Sequence, residues 1–182
     1  MALSDFDEQK AENSFQVFDT DGDGVAGRSE IDLAAERAGK AFGHKPGSPA
    51  MQSLAKANAR LWQLLAVVDT DNDDQITLAE YKAALPSLVA NPSFAAALNA
   101  LFDALVQIAD GDGDGKLTRD EYVRLFKVRA GLSEDEADAA FDHIDSNGDG
   151  FVTAEELKAT IREYYLDHDP DSSGSWLLGV PA

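Results

Sequence analysis

Four short segments carry oxygen-bearing side chains at one repeated spacing. They are Asp19, Asp21, Asp23 and Glu30; Asp69, Asp71, Asp73 and Glu80; Asp110, Asp112, Asp114 and Glu121; and Asp145, Asn147, Asp149 and Glu156. Counting each first residue as position 1, the oxygens fall at positions 1, 3, 5 and 12. A hard divalent cation such as Ca2+ takes about six to eight oxygens at about 2.3–2.6 Å, and side chains at alternate positions of a tight turn converge on one such ion. The backbone carbonyl at position 7 (Val25, Gln75, Lys116, Phe151) adds a ligand. Glu at position 12 offers two oxygens from the following helix, and position 9 (Gly27, Thr77, Thr118, Thr153) is where a water completes the shell. The chemistry expected is reversible Ca2+ binding at up to four sites, with Mg2+ as a competitor.

Turns of this kind must close tightly and must be held from both sides. Position 6 is Gly24, Gly115 and Gly150 in three segments, a residue free to take positive φ. The second segment has Asp74 there. Asp enters the left-handed region at roughly 1 kcal/mol relative to Gly, which weakens that site about fivefold if the cost falls on the bound form. Ahead of each first ligand, apolar residues recur at helical spacing: Ala11, Phe15 and Phe18; Leu61, Leu65 and Val68; Phe102, Val106 and Ala109; Ala137, Phe141 and Ile144. Past each closing Glu come Ile31 and Ala35, Tyr81 and Leu85, Tyr122 and Phe126, then Leu157 and Ile161. Each set is one stripe of an amphipathic helix, so the spacing predicts helix–loop–helix four times. A lone acidic run is usually a solvated surface. Four copies with helical flanks are better explained by a bound metal.

Three segments match D-x-[DN]-x-[DN]-G-x5-E at every specified position, and the second misses only position 6; all four resemble EF-hands. The resemblance implies an all-α fold of four helix–loop–helix units in two paired lobes packed compactly, with short β contacts between paired loops at position 8. Those residues are Ala26, Ile76, Leu117 and Val152. Val152 opposite Leu117 is a fuller pair than Ala26 opposite Ile76, so the third and fourth sites are expected to couple more strongly. The chain divides into an N-terminal pair over 1–90, a C-terminal pair over 91–166 and a tail over 167–182 expected to pack on the core. The long interval between the first two loops contains Gly39 to Ala50, reads as a loop, and ends where Ser48 caps and Pro49 opens a helix running to Val68. Pro86 is expected to end or kink a helix, Asn91-Pro92 to start the next, and Ser133 with Glu136 to form a capping box. The widened first interval and the tail resemble the branch holding the sarcoplasmic calcium-binding proteins and calerythrin, rather than calmodulin.

Composition narrows the partners. Among 182 residues, 34 are Asp or Glu and 15 are Lys or Arg, a formal charge of −19. Such a surface repels nucleic-acid phosphates and anionic lipid, so neither nucleic acid nor membrane is expected as a partner. Cysteine is absent, which removes disulfides and thiolate metal sites. His44, His143 and His168 are scattered and no nucleophile–His–acid order stands out, so no enzymatic activity is expected. No apolar stretch reaches the ~20 residues of a membrane span, and the opening Met1-Ala2-Leu3-Ser4 has no targeting character. A cytoplasmic monomer is expected. In the tail, Asp167, Asp169 and Asp171 copy the 1-3-5 spacing, but Gly174 comes two places late and Leu178 stands where Glu is needed, so a fifth site is not expected. Trp176-Leu177-Leu178 reads as a segment packing on the core, or else as a plug that a partner displaces.

Two functions fit. One is a calcium buffer or carrier whose compact fold the ion stabilises. The other is a calcium sensor that changes shape on loading and binds a target protein or peptide. The second usually relies on a Met-lined groove, and this chain has only Met1 and Met51.

Overall fold

The computed structural model describes residues 5–71 and 73–179; the opening residues Met1 to Ser4 and the last three of the tail lie outside it. Its α-helices are α1 (Asp5–Gln16), α2 (Arg28–Ala41), α3 (Pro49–Leu65), α4 (Leu78–Val89), α5 (Pro92–Ala109), α6 (Arg119–Ala130), α7 (Glu134–Ile144) and α8 (Ala154–Leu166). Every residue of the predicted apolar stripes is buried, from Ala11 and Phe15 on α1 to Leu157 and Ile161 on α8. Strands β1 (Val25–Gly27) and β2 (Gln75–Thr77) pair antiparallel with Ala26 opposite Ile76. Strands β3 (Lys116–Thr118) and β4 (Phe151–Thr153) pair likewise with Leu117 opposite Val152. The position-8 contacts are therefore those expected.

The predicted caps form. Ser48 accepts from the Met51 N–H, Asn91 from the Ser93 N–H, and Ser133 with Glu136 makes a capping box. Three local expectations need correction. Helix α2 continues to Ala41, so Gly39 is helical rather than part of a loop. A Cβ on Gly39 would lie 2.1 Å from the Met51 Sδ, which shows what the missing side chain permits: close approach of α2 and α3. Pro86 does not end α4, which runs on to Val89. Leu85 and Leu88 flank the proline and are both buried, so packing of that face holds the helix past the backbone bond a proline cannot donate. Helix α3 stops at Leu65, and its last turn, Ala66–Val68, is a 3-10 turn, a common helix ending.

One hydrophobic cluster runs through both loop pairs. Helix α3 lies along α5, and α2 along α6, so each pair covers the other's apolar faces. Helix α5 bears a single charged residue, Asp103, in 18 residues, and is long and apolar enough to cross a membrane by composition. It is the central helix of the core, with Phe94, Ala97, Leu101, Leu105 and Ile108 all buried. The interval between the first two loops ties the pairs together: the His44 ring Nε2 pairs with the Ile108 carbonyl at 2.9 Å, and Arg124 donates to the Ala41 carbonyl. The start and end of the chain are clasped by Tyr164 donating to the Lys10 carbonyl (2.6 Å) and Lys10 donating to the Asp167 carbonyl (2.6 Å).

Candidate metal centres

Each loop is built by its own side chains turning back on the backbone. The position-1 carboxylate accepts the N–H of position 6 in all four: Asp19 from Gly24 (3.0 Å), Asp69 from Asp74 (3.0 Å), Asp110 from Gly115 (2.8 Å) and Asp145 from Gly150 (2.9 Å). The position-5 carboxylate accepts the N–H of position 7, where each strand begins: Asp23 from Val25 (3.0 Å), Asp73 from Gln75 (2.9 Å), Asp114 from Lys116 (2.8 Å) and Asp149 from Phe151 (3.0 Å). Position 6 takes φ of 92° at Gly24, 62° at Asp74, 84° at Gly115 and 84° at Gly150. Among the described residues Asp74 is the one non-glycine at positive φ, so the second loop adopts the same turn despite its side chain.

These turns draw carboxylates together. Oxygens of Asp19, Asp21 and Glu30 all lie within 4.8 Å of one another, as do those of Asp69, Asp71 and Asp73, and those of Asp110, Asp112 and Asp114. Two oxygens on opposite sides of a calcium ion are about 4.6–5.2 Å apart, twice the Ca–O bond, so each group spans what one ion requires. The gathered atoms are carboxylate oxygens throughout, the donor set of a hard cation and not of zinc. The residues fit calcium. In the fourth loop, where Asn147 replaces an Asp, Asp145 and Asp149 keep the same backbone bonds, and Asn147 accepts from the Asp149 N–H at 2.8 Å. Asp23, Glu80 and Glu121 fall outside the gathered groups, as do Asp145, Asp149 and Glu156 of the fourth loop.

Charge follows from this crowding. Loss of hydration, then Asp73, Glu80 and Asp69 around it, push the Asp71 carboxyl above its ordinary value. At Asp110 burial acts in the same upward direction, but the N–H groups of Gly115 and Gly113 outweigh it and hold the carboxyl below its ordinary value. A cation of the protein's own also reaches the fourth loop: Lys116 of the third loop lies 3.5 Å from the Asp149 carboxylate and over the Phe151 ring.

The closing glutamates have a role that the spacing argument overlooked. Glu30, Glu80 and Glu121 each accept from the N–H of position 2 (2.8 Å in each) and, through the second oxygen, from the N–H of position 9. Glu156 accepts from the Ser146 hydroxyl and the Thr153 N–H. Position 9 is the N-cap of the exit helix, and Thr77, Thr118 and Thr153 complete capping boxes there. The sequence carries this signal as T-x-x-E in three loops, at the position where the loop pattern alone places a water. Glu80 shows how strongly such donors act: the Thr70 hydroxyl and the N–H groups of Thr77 and Thr70 bring its carboxyl down to about 2.

The tail triad is a different structure. Asp167 and Asp169 each accept the N–H two residues on, at 3.0 Å, forming successive Asx turns, and the triad is not among the carboxylate groups gathered in the described residues. Gly174 is no displaced loop glycine: a Cβ there would lie 2.5 Å from the Tyr164 N of α8. Beyond it, Trp176 stacks on His143 with ring centres 3.9 Å apart, and Leu177 is fully buried.

Comparison with known proteins agrees with this geometry. The EF hand domain family matches residues 136–164, and a second EF hand family matches 12–30 and 100–127, stretches that take in the first, third and fourth loops. Calerythrin of Saccharopolyspora erythraea is 26% identical over 84% of this chain and 88% of that protein. The structure of a Streptomyces coelicolor calcium-binding protein described as acting in calcium-mediated regulation superposes with a TM-score of 0.79, at 33% identity over 87% of this chain and 97% of that one. A sarcoplasmic calcium-binding protein from amphioxus shares the fold at a TM-score of 0.76 and 20% identity, covering 98% of each chain. The chain also matches plant calcium-dependent protein kinases, but spans only 25% of the rice example.

Proposed function

The chain belongs to the EF-hand calcium-binding proteins, and from that premise we propose that it is a calcium buffer or carrier filling all four loops. The ligands in each are the side chains at positions 1, 3, 5 and 12 with the carbonyl at position 7. A bound ion supplies two positive charges to each acidic cluster and so removes its self-repulsion. The chain's own residues do the rest: the turns present the carboxylates, and Glu at position 12 joins the loop to the first turn of its exit helix.

The observation that carries the buffer reading is the single continuous core. Tyr81 and Tyr122, one residue past their closing glutamates, are fully buried, and α2 and α3 of the first pair lie against α6 and α5 of the second. A target helix would have to displace that packing. The methionines argue the same way, since Met51 fills the gap above Gly39.

Sensing is the second reading, and the regulatory description of the Streptomyces coelicolor relative favours it. Binding of a hydrophobic dye with and without Ca2+ separates the two. Dye signal that falls or stays level on loading supports the buffer, and a clear calcium-dependent rise supports the sensor. Titration calorimetry with Ca2+, in the presence and absence of Mg2+, gives stoichiometry and selectivity; fewer than four ions bound would remove the proposal that every loop is filled.

A further inference from the structure

The formal charge of −19 hides an uneven distribution. Residues 31–60, which hold most of α2 and α3, carry five cations, Arg37, Lys40, Lys45, Lys56 and Arg60, against two acids, Asp32 and Glu36. The rest of the chain has ten cations against 32 acids. All five cations of the hairpin are exposed, and none has a side-chain hydrogen bond or ion pair among the described residues. By contrast, Lys82, Lys116, Arg119, Lys127 and Lys158 each hold a carboxylate. Arg124 of α6 adds a sixth positive group at the C-terminal end of α2, where it donates to the Ala41 carbonyl and lies over the Phe42 ring.

Three of these cations border a groove of about 920 Å³ between α2 and α3. Lys40 lines it. Lys45 stands between His44 and Pro46, and Lys56 follows Ala55 and lies one turn beyond Gln52, all four of which line it. Ala35, Met51 and Ala55 give the groove an apolar stretch. Asp32 and Glu36 border it as well, but Asp32 is paired with Arg28 at 3.4 Å. An apolar stretch edged by unpaired positive charge is complementary to a segment that is acidic along its edges and apolar at its centre.

We propose that the α2–α3 groove is the docking surface for a short acidic segment of a partner protein, with its carboxylates on Lys40, Lys45 and Lys56 and an apolar side chain against Ala35, Met51 and Ala55. Size favours a short peptide over an extended polyanion. Helix α3 spans 17 residues, about 25 Å. A nucleic-acid duplex or a lipid surface reaches beyond that and meets the acidic remainder of the molecule, which repels it. Screening limits charge interactions to about 8 Å at physiological salt, so a peptide held in the groove senses chiefly the hairpin. Docking here leaves the core packing closed, and the proposal does not depend on the buffer reading.

The test is fluorescence anisotropy of a rhodamine-labelled synthetic peptide, glutamates flanking two leucines, titrated with the calcium-saturated full chain. Saturable binding at least tenfold tighter than that of the same peptide with glutamines for glutamates, and weakening as salt is raised, supports the proposal. The combined variant Lys40→Gln, Lys45→Gln and Lys56→Gln should weaken it at least fivefold. Lys82→Gln, Lys127→Gln and Lys158→Gln together make the same charge change elsewhere and should leave it within twofold. No saturable binding, equal binding of the glutamine peptide, or equal loss in both triple variants would each overturn the proposal. So would displacement of the peptide by phosphatidylserine vesicles, which assigns the face to lipid, or a concentration-dependent mass in sedimentation that the hairpin variant abolishes, which assigns it to a second copy of the chain. Amide shift changes in the wild-type protein give a reading free of any variant: on peptide addition they should gather in residues 28–60, and changes centred elsewhere reject the groove.

Discussion

At position 6 of the second loop, one residue sets the quality of a site. Asp74 holds φ 62° where its counterparts are glycine, at a cost of about 1 kcal/mol. Asp74→Gly is therefore expected to tighten calcium at that loop by up to about fivefold, read as a change in the weakest phase of a calorimetric titration. Lys116 is the opposite kind of residue, a built-in cation 3.5 Å from the Asp149 carboxylate of the fourth loop. A half-exposed pair of this sort is worth about 0.2–1 kcal/mol, and calcium must displace it. Lys116→Met should tighten the fourth site by about 1.5- to 5-fold, with the gain shrinking as salt is raised. Unchanged affinity at low salt would mean the lysine does not compete. The acidic turns themselves were legible from spacing alone, because alternation of carboxylates and the closing Glu are properties of a short window. The capping use of that Glu was legible too, in the T-x-x-E of three loops, but it serves the helix rather than the ion and so fell outside a search for ligands.

Helices are started by local hydrogen bonds and kept by packing. Helix α7 starts at the Ser133–Glu136 box, where the Ser133 hydroxyl and N–H hold the Glu136 carboxyl below its ordinary 4.5. A carboxylate depressed in the folded state contributes stability that is present above its unfolded value and is lost as pH falls through the folded one. Glu136→Gln should then be slightly less stable than wild type near neutral pH, and the two melting temperatures should converge below about pH 4. A constant gap across that range would show that the charge is not what matters. The tail depends on a backbone contact instead. A Cβ on Gly174 would sit 2.5 Å from the Tyr164 N and 2.7 Å from the Glu163 carbonyl carbon, neither of which can yield without bending α8. Gly174→Ala should cost about 1–3 kcal/mol and release Trp176 from its stack on His143, seen as a lower melting point and a red-shifted tryptophan emission. The stripes and caps of these helices were readable in sequence; the lengths of α2 and α4 were not. Gly39 and Pro86 look like breakers in any window, and only the neighbour that packs there shows that the helix continues.

For the molecule as a whole, the acidic excess and the metal are one problem. Four Ca2+ would take the formal charge from −19 to −11, and each site filled at about 100 times its dissociation constant adds about 2.7 kcal/mol to the folded state. At about 2–4 °C per kcal/mol for a chain of this size, stripping calcium with a chelator should lower the melting temperature by roughly 5–10 °C for each site emptied, and calcium should restore it. A melting point indifferent to chelation would break the link between ion and fold. The sequence by itself determined the loops, the caps and the apolar stripes, because each depends on residues within about a dozen positions of one another and on the bonds they make with their own backbone. Tertiary structure alone decided how the two pairs close on each other: His44 on the Ile108 carbonyl, Met51 over Gly39, the tail against α8, and the terminal nitrogens of Arg129 enclosed with no hydrogen-bond partner among the described residues. Those contacts join residues far apart in the chain, and burial changes what each group costs, so no pattern within a short stretch carries that information.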